Sequence, residues 1–536
     1  MNVNVVESPS VTPLTPLLLL ERSADVFANK PAVIYGERIL DFRQLKAAVD
    51  QLAGALRASG IEPGDRVAYL MPNLPEMLIA HFAVPLARGV LVAINTRLSG
   101  PEIEYILVHS GASILVVDSD LHPVVASQLA AVGNLREVVV VDDVGRGIPP
   151  GTVDYQKFVA RGDDTGLPYR VDDELRPISI NYTSGTTGRP KGVLYTHRGA
   201  YLNALGELLH SRHSPESVYL WTLPMFHCNG WCTTWAIPGI GATSVCLRAV
   251  EPAVIWDLIK NRGVTHLNAA PTVLISLANH PSAAAFGRRF TVTTAGAPPS
   301  PTIIGQMASL GADVVHVYGL TETYGPYTVC EVQPGWAGQG EEQARLLARQ
   351  GVAFLGADPV RVVDDALNDV PRDGETMGEV VMRGNNVMAG YYNDPEATAQ
   401  AFRGGWFHSG DLAVWHPDGY IELRDRAKDI IISGGENIST IEVEQAIVSH
   451  PAVLECAVVS MPHDHWGERP KAFVVLKPGA EAAPAEIIEH VRTRLARFKA
   501  PDEVEIVEAL PKTSTGKIQK YVLRDRVWAG RETKVN

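Results

Sequence analysis

An α/β fold is predicted, with a large multi-sheet N-terminal domain and a small α+β C-terminal domain, and three observations predict it. Short apolar strands alternate with helical patterns through most of the chain, the texture changes after Asp425, and 536 residues are too many for one compact core. The first long helix is the clearest element. Phe42, Leu45, Val49, Leu52 and Leu56 recur at helical spacing, Asp41 can cap its start and Gly60 can end it. Strands follow in RVAYLM, VLVAIN and SILVVD, separated by helical stretches such as PEMLIAHFAVPLA, the order of a largely parallel sheet covered by helices. Between Cys330 and Val352 the charged segment GWAGQGEEQARLLARQ reads as an inserted surface helix with flexible flanks, whose function is not legible. Beyond Asp425, DIIISGGENIS reads as a strand and a glycine turn, IEVEQAIVSH as a helix, and VLECAVVSMP and KAFVVLKP as strands, a unit of about 110 residues. The expected boundaries are 1–426 for the large domain, 427–429 for a hinge and 430–536 for the small domain.

The 47 basic and 60 acidic residues give a formal net charge of -13. That balance argues against broad binding to nucleic acid or an anionic membrane, both of which need a basic face. Five cysteines in so long a chain do not form a disulfide framework, and their odd number leaves one unpaired, so a reducing cytosol is expected. The apolar run PLLLL is short, is interrupted by Pro13 and Pro16 and lacks a preceding basic segment, so it reads as packing and not as a signal. No apolar stretch approaches the roughly 20 residues that cross a bilayer. A soluble cytoplasmic protein is expected, with small-molecule partners; a homodimer is compatible with this.

The stretch YTSGTTGRPKG, Tyr182 to Gly192, has the composition of a phosphate cradle, because glycines let backbone N–H groups approach an anion and hydroxyls and cations add donors. A Walker loop is excluded by the spacing of Gly185, Gly188 and Lys191 and by Pro190 before the lysine. His227 with Cys228 and Cys232 offers three soft ligands without a fourth nearby, which favours packing of the cysteines over a metal site.

TSGTTGRPKG resembles the phosphate loop of the acyl-adenylate-forming superfamily, which includes acyl-CoA synthetases, adenylation domains of peptide synthetases, and luciferases. Five further motifs stand in the family's order: GAPPSP at Gly296–Pro301, YGLTET at Tyr318–Thr323, HSGDL at His408–Leu412, DRAKD at Asp425–Asp429 and PKTSTGK at Pro511–Lys517. The resemblance runs from about Thr12 to Val527. It implies that Thr183, Ser184, Gly185, Thr186, Thr187 and Lys191 cradle the β- and γ-phosphates of ATP, and that Glu322, with Thr183 or Ser184, holds Mg2+, a hard ion suited to oxygen ligands. Thr321 would contact the α-phosphate. Adenine would lie between Tyr318 and the backbone of Gly296, Ala297 and Pro298, with His316 at the purine edge. Asp411 would accept from the ribose hydroxyls, with Arg426 as a second contact.

The same resemblance makes Lys517 the bridge between carboxylate and α-phosphate during adenylation. The C-terminal domain would then rotate about Lys428, bringing Gly434 and Gly435 to face the site and leave room for the pantetheine arm of CoA. His227 would stand between the acyl pocket and the thiol channel, with Trp231, Trp235, Asn268, Ala269 and Tyr324 around the acid, favouring a short, medium-chain or aryl acid.

Within the superfamily the chain is similar to the short- and medium-chain acyl-CoA ligases that include methylthiopropionate-CoA ligase and plant acyl-activating enzymes, through FHCNGW, LTETYGP and SGGENIS. It departs from them at CTTW, Cys232 to Trp235, where CFPW is usual, and at Asn268-Ala269, where a cysteine-glycine pair is common. A buried asparagine there favours an acid with a polar group, since an unpaired buried amide is costly. The expected reaction is ATP-dependent acid:CoA ligation through an acyl-adenylate. The alternative is an adenylate passed to a carrier-protein thiol or an amine, or the activation of nitrite in place of an acid.

Overall fold

The computed structural model describes residues 11–163, 166–183, 189–285, 287–336, 340–434, 436–463, 465–513 and 516–529. Among them the strands form sheets of nine, eight, four and five. The eight-stranded sheet holds the early parallel strands Arg66–Leu70, Val90–Ala93 and Ala112–Asp118, the last buried along its whole length because helices cover both faces. The strand Pro177–Tyr182, which leads to the phosphate loop, pairs in parallel with Val90–Ala93 and antiparallel with Gly192–Thr196, which leaves that loop. The nine-stranded sheet contributes His266–Ala269, Phe290–Thr294 and Ala312–Leu320, whose carboxyl ends carry Asn268, Gly296 and the TET motif to one edge.

Local chemistry explains the elements that frame the site. The helix Phe42–Ala58 opens with a reciprocal cap between Asp41 and Gln44, and Gly60 follows it at φ 78°. Its five periodic apolar residues are all 0 % exposed; each such burial contributes about 1.5–3 kcal/mol. The PLLLL run begins the helix Leu17–Val26, whose Ser23 hydroxyl donates to Gly239 O at 2.8 Å on the helix that carries Trp235. Packing is its use, as expected.

The insertion is anchored more firmly than its charge suggests. It forms the helix Glu341–Leu347, and its end is buried: the Arg349 guanidinium lies 5.1 Å from the Trp336 ring and 4.6 Å from the Tyr420 ring and pairs with Asp418 at 3.0 Å. Gln350 accepts from Leu423 N at 2.6 Å, tying the insertion to the strand Ile421–Arg426 that runs into the small domain. The arginine stem and guanidinium face are themselves apolar enough to pack between rings, which a charge count does not register.

The small unit holds the strands Ile431–Ser433, Glu436–Ile438, Val453–His463, Gly467–Leu476 and Glu503–Ile506, with helices at Thr440–Val448, Pro484–Arg492 and Lys520–Trp528. Where it meets the strand Ile421–Arg426, Asp425 accepts from Thr440 N at 2.7 Å and Thr440 Oγ1 at 2.6 Å, and Arg524 pairs with Asp429. All five cysteines are free and buried. Among the described residues no helix is long and apolar enough to cross a membrane.

Candidate active site

A cleft of about 370 Å³ runs between the large unit and the small one. Gly296, Ala297, Pro298, His316, Tyr318, Asp411 and Arg426 line it, together with Lys428 and, from the small unit, Lys517. Gly296 takes φ 93°, and a Cβ built there would meet nothing within 4 Å, so this turn faces open space. His316 is 2 % exposed; its Nδ1 has no partner among the described residues, and burial lowers its pKa to about 4, which keeps the imidazole neutral.

Asp411 sits opposite Arg426 in antiparallel register. Its Oδ2 accepts from Tyr318 OH at 2.7 Å and its Oδ1 pairs with Arg426 Nε at 3.2 Å. Each carboxylate oxygen keeps a lone pair for a further donor such as a hydroxyl.

Lys517 is accessible to water by surface area, yet the cleft walls surround it. That enclosure, then the charge of Arg426, lowers its pKa to about 8 against the pull of Asp411 and Asp429. The loop that presents it is stitched by Thr513 N to Lys517 O at 2.7 Å and Lys517 N to Thr513 Oγ1 at 3.0 Å. It also presses on the large unit, since a Cβ at Gly516 would lie 2.2 Å from Thr272 Oγ1.

A second cluster surrounds the TET motif. Glu322 is half-buried, and enclosure raises its carboxyl pKa; Tyr391 OH donates to its Oε1 at 2.9 Å. The Lys191 ammonium lies 4.7 Å from the Tyr391 ring centre, so one tyrosine touches both the phosphate-loop lysine and the acidic residue. Tyr195 OH donates to Thr321 O at 2.6 Å and fixes the turn. Thr183 stands at the mouth of the phosphate loop, where its N–H donates to Lys191 O at 3.0 Å. Ser184, Gly185, Thr186, Thr187 and Gly435 lie outside the described residues.

Toward the acyl side, His227 feels the Lys517 charge; burial, then that charge, lowers its pKa to about 4. Cys228 Sγ lies 3.7 Å from His227 Nε2 and 3.6 Å from Thr321 Oγ1, linking the two clusters. Trp231 is buried against Gly325, where a Cβ would fall 2.6 Å from its Cδ1, and Trp235 Nε1 donates to His81 O at 2.9 Å. Asn268 is 1 % exposed, its Nδ2 unpartnered among the described residues, and Ala269 beside it is equally closed.

Tyr324 is a core residue and not a wall of the cleft. Its ring stacks on Tyr195 at 3.9 Å, its hydroxyl accepts from Thr196 N at 2.8 Å, and it fills the space over Gly199. Gly434 is covered within its own unit: its N–H donates to Trp466 O at 2.8 Å, and a Cβ there would meet the Trp466 ring at 2.5 Å. Among the described residues no group of three or more metal-binding side chains occurs.

Several residues around the site carry no signal in the sequence. Tyr391 reaches it only because Gly390–Tyr391 pairs with Leu194 and Val193, two hundred residues earlier in the chain. Tyr195, His81 and Asn181 belong to buried networks that no motif announces.

A nucleotide-sized cleft, acidic and basic groups on its rim, and a lysine delivered by a second domain define the class of adenylate-forming enzymes. The chain belongs to the AMP-binding enzyme family, whose model matches residues 20–392, with the AMP-binding enzyme C-terminal domain at 442–517. It is similar to the peroxisomal acetate/butyrate–CoA ligase of Arabidopsis thaliana, 43% identical over 96% of this chain and 95% of that protein. The peroxisomal trans-cinnamate:CoA ligase of Petunia hybrida is also 43% identical, over 96% of this chain and 94% of its own. Among solved structures, an anthranilate CoA ligase with anthranoyl-AMP has a TM-score of 0.85 at 26% identity, covering 96% of this chain and 98% of that one. ATP-bound MatB from Rhodopseudomonas palustris has 0.83 at 29%, covering 96% and 99%. The chain is an acid–thiol ligase, an AMP-forming acyl-CoA synthetase. The cytoplasmic expectation is overturned by these relatives, which are named peroxisomal. Unpaired thiols indicate a compartment that leaves them reduced and do not choose among such compartments.

Proposed function

We propose that this enzyme activates a short-chain or aryl acid bearing a hydrogen-bond acceptor. A carboxylate oxygen attacks the α-phosphorus of ATP as the bond to the departing pyrophosphate breaks; the CoA sulfur then attacks the acyl carbon as its bond to AMP breaks. The observation that carries this reading is the convergence of Lys517, Asp411 and Arg426 on one cleft, with both domains contributing, and with His227 buried near enough to feel the Lys517 charge. Lys517 offsets charge between the carboxylate and the α-phosphate, Asp411 and Arg426 take the ribose, and neutral His316 meets the purine edge. Thr183, the adjoining hydroxyl and glycine residues through Thr187, and Lys191 hold the pyrophosphate end.

Glu322 and Thr183 would hold Mg2+, which supplies charge neutralisation on the phosphates. The donor set fits, because an enclosed carboxyl with a raised pKa gains most from a nearby hard cation. After adenylation, residues 427–429 act as the hinge and Lys428 absorbs the rotation, so that Gly434 and Gly435 border the CoA arm. Asn268 Nδ2 supports the acceptor-bearing acid, since a buried donor without a partner costs about 1–3 kcal/mol until something pairs with it. The relatives' names support short-chain and aryl acids and a peroxisomal setting.

The test is an acid panel scored by acid-dependent exchange of labelled pyrophosphate into ATP, then by CoA-dependent AMP release. Acids with a hydroxyl or carbonyl acceptor should exceed their plain counterparts, and Asn268→Ala should erase that preference. Exchange without any CoA-dependent product, or product only with a carrier-protein thiol, an amine or nitrite, would replace the CoA reading.

A further inference from the structure

Five consecutive residues, Cys228 to Cys232, have positive φ angles of 48°, 44°, 59°, 55° and 61°. Left-handed backbone is visited routinely by single glycines, not by runs of larger residues, and here only Gly230 is glycine. Something must hold the turn, and it is a buried polar network centred on Asn229, itself 0 % exposed. Asn229 Oδ1 accepts from Asn181 Nδ2 at 2.6 Å and from the Ser179 hydroxyl; its backbone N–H donates to Asn181 Oδ1 at 3.2 Å; its carbonyl accepts from Thr234 Oγ1 at 3.0 Å. Asn229 Nδ2 faces His81 Nε2 at 3.0 Å. The other ring nitrogen of His81 lies 2.7 Å from Met77 O, a contact that requires a proton on Nδ1 and leaves Nε2 as the acceptor.

This network joins three parts of the molecule that the reaction must keep in register. Ser179 and Asn181 lie on the strand that enters the phosphate loop. His81 belongs to the helix Pro75–Leu86, and Trp235 Nε1 bonds its carbonyl. On the other side, the turn carries Cys228 onto Thr321 and places His227 where it senses Lys517.

We propose that Asn229 is a positioning residue for adenylation, fixing the acid-side wall of the site against the strand that feeds the phosphate loop. Its amide is held wholly inside the buried network; it sets where His227 and Thr321 stand relative to the reacting groups. The inference rests on the reading of His227 and Thr321 as residues facing those groups. A shift of about 1 Å there is enough to cost up to a hundredfold in rate.

The test begins with Asn229→Gly, because glycine adopts the left-handed angle without steric cost and the substitution deletes only the side-chain bonds. Acid-dependent pyrophosphate exchange, measured well below the variant's melting temperature, should fall about ten- to a hundredfold in kcat, with the KM for ATP changed less than twofold. Asn181→Ala should produce the same split, and the double variant should lose less than the product of the two single losses, since the Asn181–Asn229 side-chain bond is counted in both. If Asn229→Gly does not fold, Asn181→Ala and His81→Gln decide by the same criterion. Undiminished kcat in a folded variant, or a loss confined to the KM for ATP, overturns the proposal. His227→Ala, made alongside, separates the two readings: normal exchange in that variant with impaired exchange in Asn229→Gly retires the role of His227 and directs the effect through Thr321.

Discussion

Lys517→Ala should lower acid-dependent pyrophosphate exchange by about a hundred- to a thousandfold, or about 2.7–4 kcal/mol, the loss that follows when one preorganised donor to a developing charge is removed. The cleft adds a pH signature. With its pKa lowered toward about 8, the Lys517 ammonium gives up its proton at a lower pH than an ordinary lysine at 10.5. The protonated form is the one that can bridge two anions, so kcat/KM should fall as pH rises through this limb. Because water reaches the ammonium, about 8 is the lower end of where the limb falls and the ordinary 10.5 the upper. The assay is exchange of labelled pyrophosphate into ATP from pH 6 to 10 at low substrate, which reports the free enzyme. Lys517→Arg should flatten the limb while keeping part of the activity. A limb unchanged in Lys517→Ala, or undiminished exchange, would refute the assignment.

Tyr391→Phe keeps the ring beneath Lys191 and deletes the bond to Glu322; a hydrogen bond to a charged group is worth about 1.5–3 kcal/mol, so pyrophosphate release should slow about tenfold or more with little change in melting temperature. Unchanged release would detach Tyr391 from the site. Gly319→Ala should abolish adenylation, since its Cβ would stand 1.9 Å from Gly325 O and the TET turn must move; a fully active variant would show that the turn tolerates displacement. Glu207 is fully buried, with one oxygen unpartnered among the described residues, and burial raises its pKa to about 8 from 4.5. The folded state therefore binds this proton more tightly than the unfolded chain. Stability should fall as pH rises from about 4.5 to about 8, by up to about 1.4 kcal/mol per pH unit. Glu207→Gln should narrow the gap in melting temperature between pH 5 and pH 8, and an unchanged gap would mean the carboxyl is paired.

Motifs made from contiguous residues are legible in the chain itself. Asp41 and Gly60 bracket their helix as local capping chemistry requires, and the glycine-rich and TET segments stand at strand ends, where several chain segments converge. What sequence could not supply is partnership across long separations. Tyr391 meets Glu322 through an antiparallel pairing of two strands distant in the chain, and nothing in MAGYYND encodes that register. Tyr324 misled for the opposite reason. An aromatic beside a catalytic motif resembles a pocket wall, but the glycine at position 199 leaves a socket that only a neighbouring ring fills. Asn229 is a third kind of case, where one residue holds a backbone conformation that a run of larger residues disfavours because three distant residues, Ser179, Asn181 and His81, bond to it.

The distribution of thiols turns the molecule into its own stability gauge. Cys228, Cys232, Cys246 and Cys330 lie inside the large unit, Cys456 inside the small one, and all are buried, so an alkylating reagent reaches each only when its surroundings open. Labelling rates followed by mass spectrometry would resolve separate opening events along one polypeptide, in the way amide exchange resolves cooperative segments. Added ATP, acid or CoA would then report, residue by residue, which half of the enzyme each substrate steadies.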